Sequence, residues 1–372
     1  MMWIFIMILL FLVTIAGLVF LSSRFYKFKT IHKISRENKR VGVIISIVAV
    51  VAILAVSCIF MGYINTVIIF LHLVAIWMLC DLINSIISKF RKKNFKIYFS
   101  GIFAVVLTAI YLTVGWYLAN NVWRTDYTIE TEKKVGKIRV VLFSDSHIGS
   151  TFDGKGLAEY VERMNQENPD VVLIPGDYVD DDTSRQDMID ACAALGKLKT
   201  KYGVFFSFGN HDKGYYDEEY RGYNGNDLVK ELEKNNVVVL EDENVLIDNR
   251  FYIIGRQDRS EEQRSGSRAD METLVSGLEQ DKFMMVMDHQ PHDFEAQTKA
   301  NVDLVVCGHT HGGQLIPINY IGEWSGENDK VYGHEKNKNT NFVVTSGISD
   351  WAIQFKTGCK SEYVIIDIKE NK

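Results

Sequence analysis

Cysteine is scarce: the chain has five in 372 residues. Cys58 and Cys80 lie in apolar runs, while Cys192, Cys307 and Cys359 show neither paired metal-ligand spacing nor a disulfide framework. A thiolate zinc site is thereby excluded, and all five are read as structural. There is no internal repeat and no low-complexity tract, so nothing points to a repeat array. Acidic residues are almost missing from the first third. Glu37 and Asp81 are the only two before Arg124, and thirteen Lys and Arg accompany them up to that residue. Beyond it the balance reverses to 28 basic and 45 acidic residues. The composition therefore divides the chain near residue 124 into a basic apolar segment, 1–124, and an acidic globular domain, 125–372.

The first segment carries four apolar runs, Trp3 to Leu21, Val41 to Met61, Ile64 to Ile87 and Ile97 to Leu118. Each approaches the roughly 20 residues that a bilayer-crossing helix needs. A cleaved signal peptide accounts for the first run only, and no small-residue cleavage site precedes the basic stretch after it. The expectation is an α-helical membrane domain of four spans. Arg24, Lys27, Lys29, Lys33, Arg36, Lys39 and Arg40 crowd the first loop, and Lys89, Arg91, Lys92, Lys93 and Lys96 the third. By the positive-inside rule both loops face the cytoplasm. The acidic domain is then expected outside it, with Trp116, Tyr117 and Trp123 at the outer interface. Asp81, near the cytoplasmic end of its run, is read as reaching head groups and water, and His72 as a packed interhelical polar group.

In the acidic domain apolar runs of strand length alternate with helical spacing, and several runs end in polar, ligand-capable residues. Ile138 to Phe143 ends at Asp145-Ser146-His147. Val171 to Ile174 ends at Gly176-Asp177, and Gly203 to Phe208 at Gly209-Asn210-His211-Asp212. Phe283 to Met287 leads to His289, and Asp303 to Cys307 to Gly308-His309-Thr310-His311-Gly312-Gly313-Gln314. Further strands are expected at 237–240, 245–247, 251–254, 342–345 and 363–368. Sites in α/β folds form at the carboxyl ends of strands, so these residues should converge. His-x-His alone also occurs in satisfied polar turns; five such blocks together are a different matter. Carboxylate, imidazole and amide oxygen suit manganese, iron or zinc. The set is too large for one ion and fits two ions sharing a carboxylate.

These five blocks, in this order, resemble the signature of the calcineurin-like metallophosphoesterases. The Gly-His-Thr-His-Gly-Gly-Gln form is similar to the bacterial membrane-associated branch that includes UDP-diacylglucosamine pyrophosphatase-like proteins. The resemblance covers about Ile138 to Ile368 and implies a two-sheet β-sandwich flanked by helices, an α/β metallophosphoesterase domain. It implies one metal on Asp145, His147, Asp177 and His311, and a second on Asp177, Asn210, His289 and His309. Manganese is the first expectation for both ions. His211 is then the unligated histidine that stabilises or protonates phosphoryl oxygens, and Asp212 the residue that orients it. A metal-bridging hydroxide is the implied nucleophile.

The sequence thus points to a membrane-anchored hydrolase of a phosphate ester or pyrophosphate, small-molecule or lipid-linked. The alternative is a non-catalytic membrane sensor or scaffold for phosphorylated ligands. Nucleic acid is disfavoured by the acidic balance. Asp180 is read as a local hydrogen-bonding residue, and Tyr215, Tyr216, Tyr220 and Tyr223 as a solvated loop rather than an aromatic lip. Arg256, Arg259, Arg264 and Arg268 are read as a mixed-charge solvated loop. Ser346 to Trp351 follows a strand with small and polar residues and is a candidate to line the cleft, with no role assigned to it.

Overall fold

The computed structural model describes residues 2–90, 98–216, 218–264 and 266–371, with side chains in the first helix from residue 12 onward. The chain divides into two compact units, 1–115 and 116–372.

The first unit is helical: Met2–Phe25, Lys29–Ile34, Lys39–Phe90 and the greater part of Phe99–Asn120. Among the described residues two helices are long and apolar enough to cross a membrane, Lys39–Phe90 and Phe99–Asn120, where the four apolar runs led to an expectation of four. The difference has a physical origin. The second and third runs join in one 52-residue helix, interrupted at Gly62, whose φ of 76° and ψ of 170° are non-helical. The described side chains of the first run form a shorter apolar stretch, Leu12–Phe25. Ile97 and the basic residues Arg91, Lys92, Lys93 and Lys96 lie outside the described residues.

Leu21, Val50, Phe70, Trp77 and Ala104 form a small core, while many apolar side chains such as Val48, Ile59 and Ile110 face outward. A helix apolar all round suits lipid rather than water. Asp81 does not depend on head groups or water for its partners. Arg24 Nε lies 2.5 Å from its carboxylate, and Ser100 Oγ (2.8 Å) and Tyr98 Oη (3.0 Å) donate to it. Trp77 Nε1 donates in turn to Tyr98 Oη at 2.9 Å.

The second unit is built on two six-stranded sheets. The first has the order β1 (Trp123–Thr131), β12 (Glu362–Glu370), β2 (Lys137–Leu142), β3 (Val171–Pro175), β4 (Val204–Ser207), β5 (Val237–Val239). The second runs β10 (Gly333–Asn337), β11 (Thr340–Val344), β9 (Leu304–Cys307), β8 (Phe283–Met287), β7 (Phe251–Gly255), β6 (Glu243–Ile247). Strands β2, β3, β4 and β5 run parallel to one another in the first sheet, and β7, β8, β9 and β11 in the second, while β12 is antiparallel to β2, β6 to β7 and β10 to β11.

Side chains alternate across a strand, so a strand buried on both faces must be apolar at every position. That is why these runs are continuous. Val140, Leu142, Val171, Leu173, Phe283, Met285, Leu304 and Val306 point between the sheets. Val141, Val172, Ile174 and Phe206 pack outward under the helices Leu157–Gln166, Arg185–Leu195 and Gly225–Lys234. Met284, Val286, Val305 and Cys307 pack under Met271–Val275 and Phe294–Lys299 on the opposite outer face. The result is a two-sheet α/β sandwich with a helical layer on each side.

The expected strands appear within a few residues of their apolar runs. β10 carries no apolar periodicity and was not expected. β1, the edge strand of the first sheet, pairs in parallel with β12, from Trp123 opposite Glu362 to Thr131 opposite Glu370.

Candidate metal centre

The parallel strands bring their carboxyl ends to one edge of the sandwich. Asp145 and His147 follow β2, Asp177 follows β3, Asn210, His211 and Asp212 follow β4, His289 follows β8, and His309 and His311 follow β9. Backbone bonds stitch these loops across the sandwich. The Asp145 N–H donates to Gly176 O (3.1 Å), the His147 N–H to Asp177 O (3.2 Å) and the Gly308 N–H to His289 O (2.9 Å). Asp145, on the first sheet, accepts the N–H of His309, on the second, at 2.9 and 3.1 Å.

Glycine is required where these loops touch. A Cβ on Gly176 would collide with the backbone of Gly209, and one on Gly308 with Asp145 and Ser144. Asp145, His147, Asp177, His309 and His311 all have positive φ, from 35° to 70°. Non-glycine residues in this region carry strain that the surrounding packing must hold, and such strain gathers at functional sites.

Two groups of donor atoms result, each with its ligand-type atoms within 4.8 Å of one another: Asp145, His147 and His311, and Asp177, His289 and His309. Asp177 Oδ2 stands 3.0 Å from His289 Nε2 and 3.8 Å from His147 Nε2, which places this carboxylate between the groups. Asn210 Oδ1 lies 2.8 Å from His309 Nδ1 and 3.2 Å from His289 Nε2. The amide thus turns its oxygen toward the second group. Its Nδ2 donates to Tyr215 Oη at 2.7 Å. His147 and His311 stack with ring centroids 5.2 Å apart, and His147 Nε2 and His311 Nδ1 are buried without a hydrogen-bond partner. Buried polar atoms are nearly always partnered, so these nitrogens mark where a cation belongs. The donor set is oxygen and nitrogen without sulfur, which fits hard or borderline divalent ions. The residues present therefore fit a dinuclear centre.

Charge in the protein alone supports the same reading. Burial works against ionised side chains here, yet Asp177 and Asp145 hold the His289 pKa well above the ordinary histidine value. Burial and the charge of His289 push His309 down to about 4. Burial, and the neighbouring His147, likewise hold His311 well below the usual range. Protons on selected rings are the counter-charge to buried carboxylates, and divalent ions would replace them with proton release.

Around the two groups the remaining expected residues take different places. Asp180 Oδ2 faces His147 Nδ1 at 3.2 Å, while its Oδ1 accepts the N–H groups of Asp182 and Thr183. It fixes the ring that points Nε2 into the centre. Replacing Asp180 with asparagine is expected to weaken metal binding about 10–100-fold, the usual cost of removing such a support, as a higher manganese concentration at half-maximal occupancy. His211 is partly exposed, edge-on to His147 (5.1 Å) and against Tyr215 (5.0 Å) and Trp351 (4.9 Å). Its backbone N–H donates to Asp177 Oδ1 at 2.8 Å.

Asp212 does not touch the His211 ring, contrary to the orienting role expected for it. Both its oxygens accept backbone N–H groups, from Gly209 (2.7 Å), Asp177 (2.9 Å), Tyr178 (2.8 Å) and Val179 (3.1 Å). The arginine loop also differs from the solvated reading. Arg268 Nη2 is 2.7 Å from buried Asp288, and Arg256 Nη1 is 3.0 Å from it, directly before His289. Arg264 Nη2 donates to Asn210 O (2.9 Å), and its guanidinium lies over Tyr215 (5.4 Å). Tyr215 and Trp351 thus border the centre as an aromatic lip, while Tyr216 and Tyr220 pair at the surface and Tyr223 is buried. Position after a strand, not residue type, is the signal for Trp351, and the pairing of β11 beside β9 brings that stretch to the centre.

Residues 138–313 match the calcineurin-like phosphoesterase family. The chain is 33% identical to a metallophosphoesterase of Aquifex aeolicus over 199 residues, 52% of this chain and 71% of that one. It is 27% identical to a Campylobacter jejuni metallophosphoesterase over 305 residues, 80% of this chain and 77% of that one. A Danio rerio transmembrane protein with a metallophosphoesterase domain is 28% identical over 283 residues, 72% of this chain and 62% of the fish protein.

Proposed function

The chain belongs to the calcineurin-like metallophosphoesterase family, and from that premise we propose that it is a membrane-anchored hydrolase of phosphate esters or pyrophosphates working through a dinuclear divalent-metal centre. One observation carries the reading. Two Asp/His groups meet at a buried carboxylate, Asp177, and in the first of them His147 Nε2 and His311 Nδ1 have no hydrogen-bond partner.

Asp145, His147, Asp177 and His311 would hold one ion, and Asp177, Asn210, His289 and His309 the other, with manganese the metal to try first. When bound, such a pair supplies Lewis acidity that activates water and neutralises phosphoryl charge. The chain's own residues do the rest. Burial lowers the His211 pKa, only partly offset by Asp177, so a neutral ring is available to donate one N–H to a phosphoryl oxygen. Tyr215 and Trp351 confine that ring. Arg264 places a fixed cation beside the Asn210 loop, where an anionic substrate arrives.

His211→Ala is expected to lower kcat about 10²-fold, the scale of a single proton-handling group, with bound metal unchanged. Metal analysis alongside turnover of bis-p-nitrophenyl phosphate checks this. The same assay tests the proposal itself. The full chain in detergent should hydrolyse that ester only when manganese is supplied, and Asp177→Ala should not. A folded, metal-loaded protein with no turnover on phosphodiesters, monoesters or pyrophosphates would leave the sensor or scaffold reading in its place.

The membrane placement is part of the proposal. The break at Gly62 divides the 52-residue helix into pieces each long enough for a hydrocarbon core of about 30 Å, which with the first and last helices makes four spans. The basic loops support an orientation with the catalytic unit outside the cytoplasm. A reporter fused after the last residue and active only in the cytoplasm would overturn this orientation.

A further inference from the structure

Directly after His311–Gly313, the loop 314–326 turns large apolar side chains outward. Ile316, Ile318, Tyr320, Ile321 and Trp324 are 46%, 52%, 48%, 59% and 74% exposed. Single exposed apolar residues are ordinary, but a contiguous set marks a surface that meets something. The loop is held in shape. Gln314 O accepts the N–H groups of Thr357 (2.7 Å) and Gly358 (3.0 Å), and the Ile316 N–H donates to Thr357 Oγ1 (3.0 Å).

The strap that holds it also reaches two other places. Cys359 Sγ donates to His311 O at 3.1 Å. Ser361 then binds the last turn of the helix Phe99–Asn120, its N–H donating to Leu118 O (3.0 Å) and its Oγ to Ala119 O (2.6 Å). Gly358 and Ser361 are three residues apart, at most about 11 Å of chain. The apolar loop, a residue of the metal centre and the end of a helix apolar enough to cross a membrane are therefore tied within one short segment. Trp116, Tyr117 and Trp123 are exposed around that helix end, as aromatic rings are at a bilayer interface. Tyr320 and Trp324, with ring centroids 6.4 Å apart, are of the same amphipathic kind.

We propose that the loop 314–326 inserts into the interfacial layer of the bilayer from which the helix Phe99–Asn120 emerges, so that the metal centre works on phosphate esters or pyrophosphates carried by lipids. This rests on the membrane placement and the hydrolase activity proposed above. The surface commits to lipid because the strap fixes it beside a bilayer-crossing helix end; a soluble partner would need no such attachment.

The test reconstitutes the full chain in phosphatidylcholine vesicles with and without brominated acyl chains, which quench tryptophan by contact. The fluorescence removed by Trp324→Phe should be a bromine-quenched component, as should that removed by Trp116→Phe. If only the Trp116 component is quenched, the loop does not enter the bilayer and the inference fails, while the membrane placement stands. If neither is quenched, both fail. A second arm uses the double variant Ile321→Ser/Trp324→Ser. It should hydrolyse soluble bis-p-nitrophenyl phosphate as the parent does. Its KM for a p-nitrophenyl phosphodiester of diacylglycerol in the same vesicles should rise about tenfold, through lost apolar burial. Equal behaviour of the variant toward the two substrates would overturn the inference. Failure of the parent chain on both would instead overturn the hydrolase reading, and quenching would still judge the loop.

Discussion

Asp177→Ala is expected to lower kcat/KM for bis-p-nitrophenyl phosphate by about 10³-fold or more, the scale on which losing charge stabilisation at the reacting centre acts, and to leave at most one bound metal ion. Its Oδ2 lies 3.0 Å from His289 and 3.8 Å from His147, one ring from each donor group. No other carboxylate among the described residues is placed between the groups in this way. Asp177 Oδ1 also accepts the His211 N–H, so alanine releases that loop as well as the charge. Asp177→Asn separates the two effects, since the amide oxygen can keep the N–H contact while the negative charge is gone. Metal content and turnover should fall nearly as far in the asparagine variant. If either variant kept full metal and turnover, the shared-carboxylate arrangement would be wrong.

Asp212→Ala is expected to cost roughly 4 kcal/mol or more of stability, because four buried N–H donors lose their acceptor and each unmet donor costs about 1–3 kcal/mol. In a unit of this size that is a fall of about 10 °C in Tm. The donors belong to Gly209, Asp177, Tyr178 and Val179, so this one carboxylate locks the loop after β3 to the loop after β4. Turnover should disappear with the loss of that geometry. His211→Ala, by contrast, should melt like the parent. Should Asp212→Ala melt like the parent and lose only turnover, the carboxylate would be acting through the His211 ring, as the family resemblance implies and the hydrogen bonds do not.

Those two residues show what sequence reading reaches. The strands were legible because both faces of each sheet are covered, which forces runs such as Val171–Ile174 and Phe283–Met287 to be apolar throughout. The polar residues ending those runs were legible as a converging set because parallel strands place their carboxyl ends together. Asp212 misled because its neighbour in sequence, His211, offers a side-chain partner, whereas three of its four N–H partners come from a loop more than 30 residues earlier. Arg256 and Arg268 looked solvated because acids stand among them in the loop. Their partner, Asp288, lies at the end of β8, 20 residues beyond Arg268. Sequence also divided the apolar runs into four spans, and two of them fall within one 52-residue helix that Gly62 interrupts. A single glycine in an apolar run does not announce whether it breaks a helix or bends it.

The central claim is that two divalent ions share Asp177. Electron paramagnetic resonance on metal-stripped full-length protein, titrated with manganese, addresses it directly. The account predicts that a second equivalent converts an isolated-ion spectrum into the multiline signal of an exchange-coupled pair, and that phosphodiester turnover grows with that signal. An isolated-ion spectrum at saturating manganese, with or without turnover, would contradict it.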